Sequence, residues 1–387
     1  MIFAGSWAGG VSLLVLLDLT AAFDTVDHSI LLGRLMGMGL GGTVLQWLHS
    51  FLEGRSQMVS LGDSCLAPQP LSCGVLQGFV FSILFNIYMK PLGEIIRSFG
   101  VRCHLYADDV QLCHSFPPVT KESVQVLNQC LAAVLDWMRA NKFKLNPDKT
   151  EVLLVSRKAE QGIGLQPVLD GVTLPLKAQV RSLGVILDSL LSLELQVSVV
   201  ARGAFAQLKL VCQLHPYLGK PDLATVVHTL VTSQLGYCNT LYMGLPLKTV
   251  WKLQLVKQEA ARLLTGAAYR KRTTPLLRQL HWLQISYRAR FKVLALAYKA
   301  LNSSSPAYLS KRVSCYDLPR NLRSSGEALF LVPPASLVWL VGMRDRAFSV
   351  VVPWLWNSLP SDIQQSPSLL SFRNKVKAWL CEQAFKE

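Results

Sequence analysis

The sequence lacks paired cysteines, since its nine cysteines are odd in number and scattered without a Cys-x-x-Cys spacing. This pattern argues against a disulfide framework and against a cysteine-rich zinc site, and it is typical of reduced core thiols. Cys212 with His215, and His228 with Cys238, come nearest to metal-ligand pairs, but their spacings fit no zinc module. We therefore expect an intracellular protein, in the nucleus or the cytoplasm.

Long apolar runs are also missing, although 51% of the residues are hydrophobic and the mean hydropathy is +0.31. No uninterrupted run reaches the roughly 18–20 residues that span a bilayer. The segment 11–17 resembles the core of a signal peptide, but no basic residue precedes it, and Asp18 and Asp24 follow. We predict a buried strand there, with no signal peptide or membrane partner; a membrane-surface protein stays a third hypothesis, after the two given below.

Acidic residues are scarce in the second part of the chain. Residues 1–150 hold 10 Lys and Arg against 11 Asp and Glu, a net charge of −1, whereas residues 151–387 hold 29 against 13, a net of +16. Eleven basic residues and no acidic one lie in 260–316. This asymmetry predicts chemistry in the first part and polyanion binding in the second, with a generic basic surface as the alternative.

What is present in the first part is an acidic pair, Asp108-Asp109, between two apolar segments. The segment 101–105 and the alternating segment 110–113 predict a hairpin with both carboxylates at its tip. Adjacent acids repel each other, and a divalent cation, which hard oxygen ligands favour, would offset that repulsion. A solvated Asp-Asp turn is the alternative for the pair taken alone.

Other polar residues stand at comparable places along the chain. Asp18 ends the apolar strand, a glycine-containing loop with Gln77 and Gly78 enters a helix, and Lys149 follows a turn before another strand. Asp24 and Asp27 are expected to be helix caps or solvated acids. Carboxylates from two neighbouring strands are what two-metal phosphoryl transfer requires.

The remaining pattern predicts α+β architecture, with strands and helices alternating to about residue 190 and mostly helices beyond. The expected strands are 57–61, 151–156 and 180–187, with a hairpin at Asp170-Gly171, a loop over 62–72 and β-like runs after residue 326. The expected helices are 43–52, 80–96, a helix ending near Asn141, 197–214, 222–235, 250–264, 287–301 and a final helix from about Leu369.

These segments together resemble the reverse transcriptase of a non-LTR (LINE-type) retrotransposon of vertebrates, truncated at the N-terminus. The resemblance is carried, in family order, by LLDLTAAFDTVDH (motif A), GVLQGFVFSILFNIYM (motif B), YADD (motif C), LNPDKTEVLLV (motif D) and RSLGVILD (motif E). The tail from RAFSVVVPWLWNSLP to SFRNKVKAWL is similar to the C-terminal segment of such elements.

The resemblance implies roles for individual residues. Asp18, Asp108 and Asp109 would bind Mg²⁺, or Mn²⁺, and Lys149 would protonate pyrophosphate. The nucleotide would contact Phe23, which excludes a 2′-hydroxyl, together with Gln77, Gly78 and Tyr106. The primer and template would contact the hairpin at Leu183 and Gly184 and the basic cluster Arg270, Lys271 and Arg272.

The implied fold is a ferredoxin-like palm with an antiparallel sheet over residues 1–190, a basic helical thumb over 191–302 and an extension over 303–387. Its partners would be an RNA template, a DNA primer and deoxynucleoside triphosphates; the oligomeric state is left open. The sequence departs from the family because the fingers upstream of motif A are not in it, and Phe79 replaces a small serine in motif B. The second hypothesis is therefore an inactive nucleic-acid-binding remnant of such an element.

Overall fold

The structure is a computed structural model that describes residues 11–76, 79–116, 121–156, 166–302, 304–314, 329–332 and 346–385. Its β-strands are β1 (Val11–Leu17), β2 (Leu19–Thr20), β3 (Ser56–Gln57), β4 (Ser60–Leu61), β5 (Ser64–Cys65), β6 (Gln69–Pro70), β7 (Arg102–Tyr106), β8 (Asp109–Phe116), β9 (Lys144–Leu145), β10 (Glu151–Val155), β11 (Val168–Leu169), β12 (Val172–Thr173), β13 (Leu176–Lys177), β14 (Gln179–Ser182) and β15 (Val185–Asp188).

The α-helices are α1 (His28–Gly37), α2 (Gly42–Leu52), α3 (Phe79–Ser98), α4 (Lys121–Ala140), α5 (Glu194–Leu214), α6 (Lys220–Val227), α7 (Ser233–Gly236), α8 (Leu247–Thr265), α9 (Thr274–Gln279), α10 (Ile285–Leu301), α11 (Ala307–Ser310), α12 (Phe348–Asn357), α13 (Ser361–Gln364) and α14 (Leu369–Phe385). A π-helical turn, His228–Thr232, joins α6 to α7. The mixture of sheet and helices confirms the predicted α+β class.

A five-stranded sheet in the order β13-β10-β1-β8-β7 forms the centre of the first part. Strand β1 is apolar throughout because both of its faces are covered. Leu13, Val15 and Leu17 pack into the main core with α3 and α4, whereas Leu14 packs with Leu153 on the other face. Burial on both faces explains why the strand reads as a continuous hydrophobic run rather than an alternating one.

The sheet is mixed rather than antiparallel throughout, which corrects one expectation. Strand β1 is antiparallel to β8 and β10, but β13 runs parallel to β10, with Val152 opposite Leu176. The chain can return in the same direction because the β11–β12 hairpin lies between these two strands. The turn of that hairpin, Asp170-Gly171, has φ of +52° and +76°, as the Asp-Gly signal predicts.

Three other expectations were wrong in detail. The segment 180–187 is not one strand but the β14–β15 hairpin, because its Leu183-Gly184 pair adopts positive φ and turns the chain. The expected strand 57–61 and the loop 62–72 instead form the short pairs β3–β6 and β4–β5.

Most of the described tail, residues 346–385, is helical where β-like runs were expected, although Phe330 forms a single β-bridge. Phe348, Val352 and Trp356 repeat at helical spacing on α12 and are buried, so packing overrides the β propensity of the valines. Residues 315–328 and 333–345 lie outside the described residues.

The helical part has two large apolar clusters. Helices α5 and α8 contribute half of the buried residues of the first cluster, and α10, α12 and α14 contribute most of the second. Among the described residues, one helical stretch, Glu194–Tyr217, is long and apolar enough to cross a membrane by length and composition alone. Some core helices of soluble proteins share this property. A third of the most apolar part of this stretch is buried. The domain boundaries at residues 190 and 302 stay predictions.

Candidate functional site

The acidic pair lies at the tip of the β7–β8 hairpin, as predicted. Tyr106 and Asp109 form the last strand pair, and Ala107 and Asp108 make the two-residue turn between them. Ala107 has φ of +50°, in the left-handed region that residues with a side chain seldom adopt. The turn therefore holds two carboxylates in successive positions at the end of a sheet.

Asp18 approaches this tip from the neighbouring strand. Leu17 pairs with Val110, so the next residues along the two antiparallel strands are Asp18 and Asp109. Asp109 remains solvent-exposed, yet partial burial raises the pKa of its carboxyl, and the charges of Asp108 and Asp18 raise that pKa further. The three acids thus form one cluster of mutually repelling negative charge.

Lys149 reaches the same cluster from a short 3₁₀ turn, Pro147–Lys149. The Asn146 side chain caps this turn by accepting a hydrogen bond from the amide of Asp148, and the Asn146 amide donates to the carbonyl of Asp18 at 3.0 Å. The Lys149 ammonium stands 3.7 Å from the Asp18 carboxylate. Both side chains are exposed, so this pair contributes little to stability, and the lysine is free to move toward a ligand.

The loop that leads into α3 is fastened to the turn that follows Asp18. The amides of Gly74 and Val75 donate to the carbonyls of Val26 and Phe23 at 2.8 and 2.9 Å, and the His28 imidazole Nε2 lies 2.8 Å from the Gly74 carbonyl oxygen. Gly74 has φ of +96°, which favours glycine at this position. Gln77 and Gly78, the predicted nucleotide-binding residues of this loop, lie outside the described residues.

The Phe23 ring belongs to the core rather than to an open surface. It is 8% exposed and stacks on Phe85 with a centroid distance of 4.4 Å. Tyr106, by contrast, is 61% exposed beside the acidic tip. Asp27 is confirmed as a helix cap, since its carboxylate accepts a hydrogen bond from the amide of Ile30 at 3.0 Å.

The predicted primer-binding residues fall into two places. Leu183 and Gly184 form the turn of the β14–β15 hairpin, which is attached to the acidic hairpin because the Gln111 amide group donates to the Ser182 hydroxyl at 2.8 Å. The basic cluster Arg270–Arg272 is exposed in the turn between α8 and α9, on the helical part of the chain. The structure therefore brings the hairpin turn, and not the basic cluster, into contact with the strands that carry the acids.

The donor chemistry of the acidic cluster fits Mg²⁺, because all three side chains offer hard carboxylate oxygens. Within the described ranges, no group of three His, Cys, Asp or Glu side chains is close enough to enclose a metal ion. Asp18, Asp108 and Asp109 offer the right donor atoms at one end of the sheet, but their carboxylates are not gathered into a ligand set in this structure.

Part of the chain is similar in sequence to known proteins. Residues 7–187 match the family described as "Reverse transcriptase (RNA-dependent DNA polymerase)". The chain is also similar to a "Probable RNA-directed DNA polymerase from transposon BS" of Drosophila melanogaster, with 25% identity over 279 residues. That match covers 69% of this chain and 30% of the Drosophila protein, so the chain spans about a third of the length of this relative.

The chain is also similar in structure to telomerase from Candida albicans, solved in complex with a fragment of telomeric RNA. The match covers 73% of this chain and 48% of the telomerase chain. The sequence identity is 13% and the TM-score is 0.36, and we base no conclusion on a likeness of that size. The family match confirms the predicted resemblance to reverse transcriptases for residues 7–187, which contain the sheet, the three acids and Lys149. The finer assignment, to a LINE-type element of vertebrates, stays a prediction.

Proposed function

We propose that this chain is the RNA-directed DNA polymerase region of a non-LTR retrotransposon. The observation that carries the proposal is the cluster of Asp18, Asp108 and Asp109, which two adjacent strands bring together at one end of the sheet. The proposed reaction joins a deoxynucleotide to the 3′-hydroxyl of a primer and releases pyrophosphate. The sheet with α3 and α4 would be the palm, and the basic helices beyond residue 190 would be the thumb.

The three carboxylates would hold Mg²⁺, or Mn²⁺ in its place. When bound, such ions favour deprotonation of the attacking hydroxyl and neutralise charge on the leaving pyrophosphate. Lys149 would keep a proton beside the leaving group, a role that fits a mobile ammonium 3.7 Å from Asp18.

The nucleotide would lie against the turn that follows Asp18 and against the loop fastened to it. Phe23 would form a fixed wall there, since its contact with Phe85 prevents the ring from yielding to a 2′-hydroxyl. Tyr106, Gln77 and Gly78 would complete the nucleotide site.

The helical part would hold the RNA template and the DNA primer by their phosphates, mostly without reading sequence. The exposed cluster of Arg270, Lys271 and Arg272, together with the net charge of +16 beyond residue 150, supports this role. These contacts would be electrostatic, so binding would weaken as salt is added.

A primer-extension assay on an RNA template, with Mg²⁺ or Mn²⁺, tests the proposal. Asp108→Asn keeps the shape of the turn but removes one charge, and we expect extension to fall by more than about a hundredfold while binding of the template–primer is retained. Asp63→Asn, in the exposed turn between β4 and β5, is the matched control and should extend primers as the unsubstituted chain does. Equal extension by Asp108→Asn and the unsubstituted chain would refute the assigned site.

The second candidate is a nucleic-acid-binding remnant without polymerase activity. Two features favour it: the Lys149 ammonium already partly neutralises Asp18, and the bulky Phe79 stands where the resembled family has serine. The same assay separates the two candidates, because salt-sensitive binding of an RNA–DNA hybrid without any metal-dependent extension would support the remnant.

A further inference from the structure

The turn between β14 and β15 has an unfavourable backbone that something must hold in place. Leu183 has φ of +46° and Gly184 has φ of +77°. A left-handed conformation is unfavourable for a residue such as leucine, because its Cβ atom comes too close to the following carbonyl oxygen. Such a conformation persists only where the surrounding structure determines it.

A tyrosine from the helical part supplies that support. The Tyr237 hydroxyl donates a hydrogen bond to the carbonyl of Leu183 at 2.6 Å. The Tyr237 ring also lies beside Gly184, where a Cβ atom would come within 3.6 Å of it. On the opposite side of the turn, the side-chain amide of Gln111 in β8 donates a hydrogen bond to the Ser182 hydroxyl. The turn is therefore held between the acidic hairpin and Tyr237.

Tyr237 is itself anchored firmly. It follows Gly236, the last residue of α7, whose carbonyl accepts a hydrogen bond from the Lys292 ammonium of α10. The Arg288 guanidinium packs against Gly236, where a Cβ would meet it at 3.2 Å. Cys238, which comes next, has φ of +48°. The Tyr237 side chain therefore projects from a backbone that α10 fixes.

Tyr237 also lies within electrostatic range of Tyr106, the last residue of β7. Its side chain is 54% exposed, although its hydroxyl is hydrogen-bonded. Cys238 raises the pKa of this hydroxyl most, partial burial raises it further, and Tyr106 at the end of β7 adds to the same effect. The hydroxyl thus lies within electrostatic range of both the β14–β15 turn and the hairpin that carries Asp108 and Asp109.

We propose that Tyr237 is a positioning residue that holds the Leu183-Gly184 turn in register with the acidic hairpin and thereby aligns the 3′ end of a bound DNA primer. This inference rests on the proposed function. It adds a connection from the helical part to the hairpin turn, which no motif in the sequence indicated.

The sharpest test is Tyr237→Phe, which removes the hydroxyl and keeps the ring. Loss of one short hydrogen bond predicts a decrease of about five- to tenfold in kcat for primer extension. The KM for deoxynucleotide and the Kd for the template–primer should change by less than about twofold, because the phosphate contacts remain. Tyr217→Phe is the matched control, since Tyr217 is 85% exposed in the same helical part, and it should leave kcat unchanged.

Gly184→Ala disturbs the turn from its other side, because a side chain at φ of +77° is strained. It should lower kcat to a similar degree, and the Tyr237→Phe/Gly184→Ala double variant should lose much less than the product of the two single losses. Fully multiplicative losses would show that the two residues act independently and would overturn the proposal.

A readout that needs no catalysis separates this proposal from the proposed function. Amide hydrogen exchange in residues 179–188 should be faster in Tyr237→Phe than in the unsubstituted chain, and a primer with a photoreactive 3′ nucleotide should crosslink less to this hairpin. If the unsubstituted chain does not extend primers but both effects are seen, polymerase activity fails and the positioning role stands. Unchanged exchange and crosslinking in Tyr237→Phe would overturn the role, whatever the activity.

Discussion

Charged side chains have different environments in the sheet region (residues 11–188) and in the helical region (residues 194–385). In the sheet region the acids Asp108 and Asp109 stand at a strand end, where they repel each other and stay accessible to solvent. In the helical region the Lys257 ammonium is buried and donates to the carbonyl of Leu283, and the Lys292 ammonium donates to that of Gly236.

This difference separates charges that support binding from charges that support the fold. Among the described residues, the ion pair that involves these acids is that of Lys149 with Asp18, so the cluster is suited to bind a further cation. The buried Lys257 and the half-buried Lys292 already use backbone carbonyls as partners, so they hold helices together rather than bind phosphates. Among the described residues of the helical region, the exposed basic side chains, such as Arg270–Arg272, are the ones available to a polyanion.

The largest expected effect is on the free energy of unfolding, and it tests whether the two regions have separate cores. Leu13→Ala in β1 and Leu253→Ala in α8 each truncate a fully buried side chain and should lower the free energy of unfolding by about 2–5 kcal/mol. Hydrogen exchange followed by mass spectrometry should show faster exchange mainly in the region that carries the substitution. Leu61→Ala, at an 82% exposed position, should change little in either region.

If Leu13→Ala and Leu253→Ala each accelerated exchange equally in both regions, the two regions would not have separate cores. That outcome would mean one cooperative unit, joined through contacts such as those of Tyr237 and Gln111 with the β14–β15 hairpin.

A smaller effect is expected from Lys257→Met, and it depends on pH. Burial, with a further contribution from the charge of Arg288, lowers the pKa of Lys257 to about 7 in the folded chain, against about 10.4 in the unfolded chain. Between these values the unfolded chain binds more protons, so stability rises with pH, and the penalty for the buried charge is fully present below about pH 7.

Lys257→Met should therefore stabilise the helical region near pH 6. Removal of the buried charge should raise the free energy of unfolding by up to a few kcal/mol, and the unpaired Leu283 carbonyl should lower it by about 1–3 kcal/mol. The advantage should vanish as pH approaches about 10. Denaturant unfolding at several pH values measures it, with exposed Lys248→Met as the control. A difference from the unsubstituted chain that does not vary with pH would show that Lys257 is not buried in its charged form.

The smallest expected effect concerns the exposed basic residues of the two regions and the salt dependence of nucleic-acid binding. Replacing Arg270, Lys271 and Arg272 with alanine should reduce the slope of log affinity against log salt by about 2, measured by fluorescence anisotropy with an RNA–DNA hybrid. Replacing Lys90, Arg97 and Lys144, three exposed basic residues of the sheet region, is the matched control and should reduce it less. Equal reductions would assign nucleic-acid binding to both regions.

Local sequence patterns predicted most of the elements but not how they end or pair. The Asp-Gly and Asp-Asp turns and the helices α2, α5, α8 and α10 were predictable because their signals are local. The residue pattern predicted the β14–β15 hairpin as one strand because Leu183 is an unusual residue for a turn, whereas the resemblance implied a hairpin at Leu183 and Gly184. Its conformation depends on Tyr237, which is 54 residues away along the chain.

The candidate site shows the same division. The motifs identified Asp18, Asp108, Asp109 and Lys149, and the structure places these four side chains at one end of the sheet. Phe23 was expected beside the sugar of a nucleotide, with a core phenylalanine as the alternative. Its stacking partner Phe85 could not be predicted, because a buried ring and a ligand-facing ring have the same identity in a sequence.

The sequence by itself determined the order of the elements, the type of ligand atoms at the strand ends and the contrast between a nearly neutral first part and a basic second part. These properties follow from residue identity and spacing alone. The tertiary structure decided that Asp18 adjoins Asp109, that Lys257 is structural and that Tyr237 supports the Leu183-Gly184 turn. Such relations arise from the pairing of strands and the packing of helices that are distant in the chain, where local propensity carries no information.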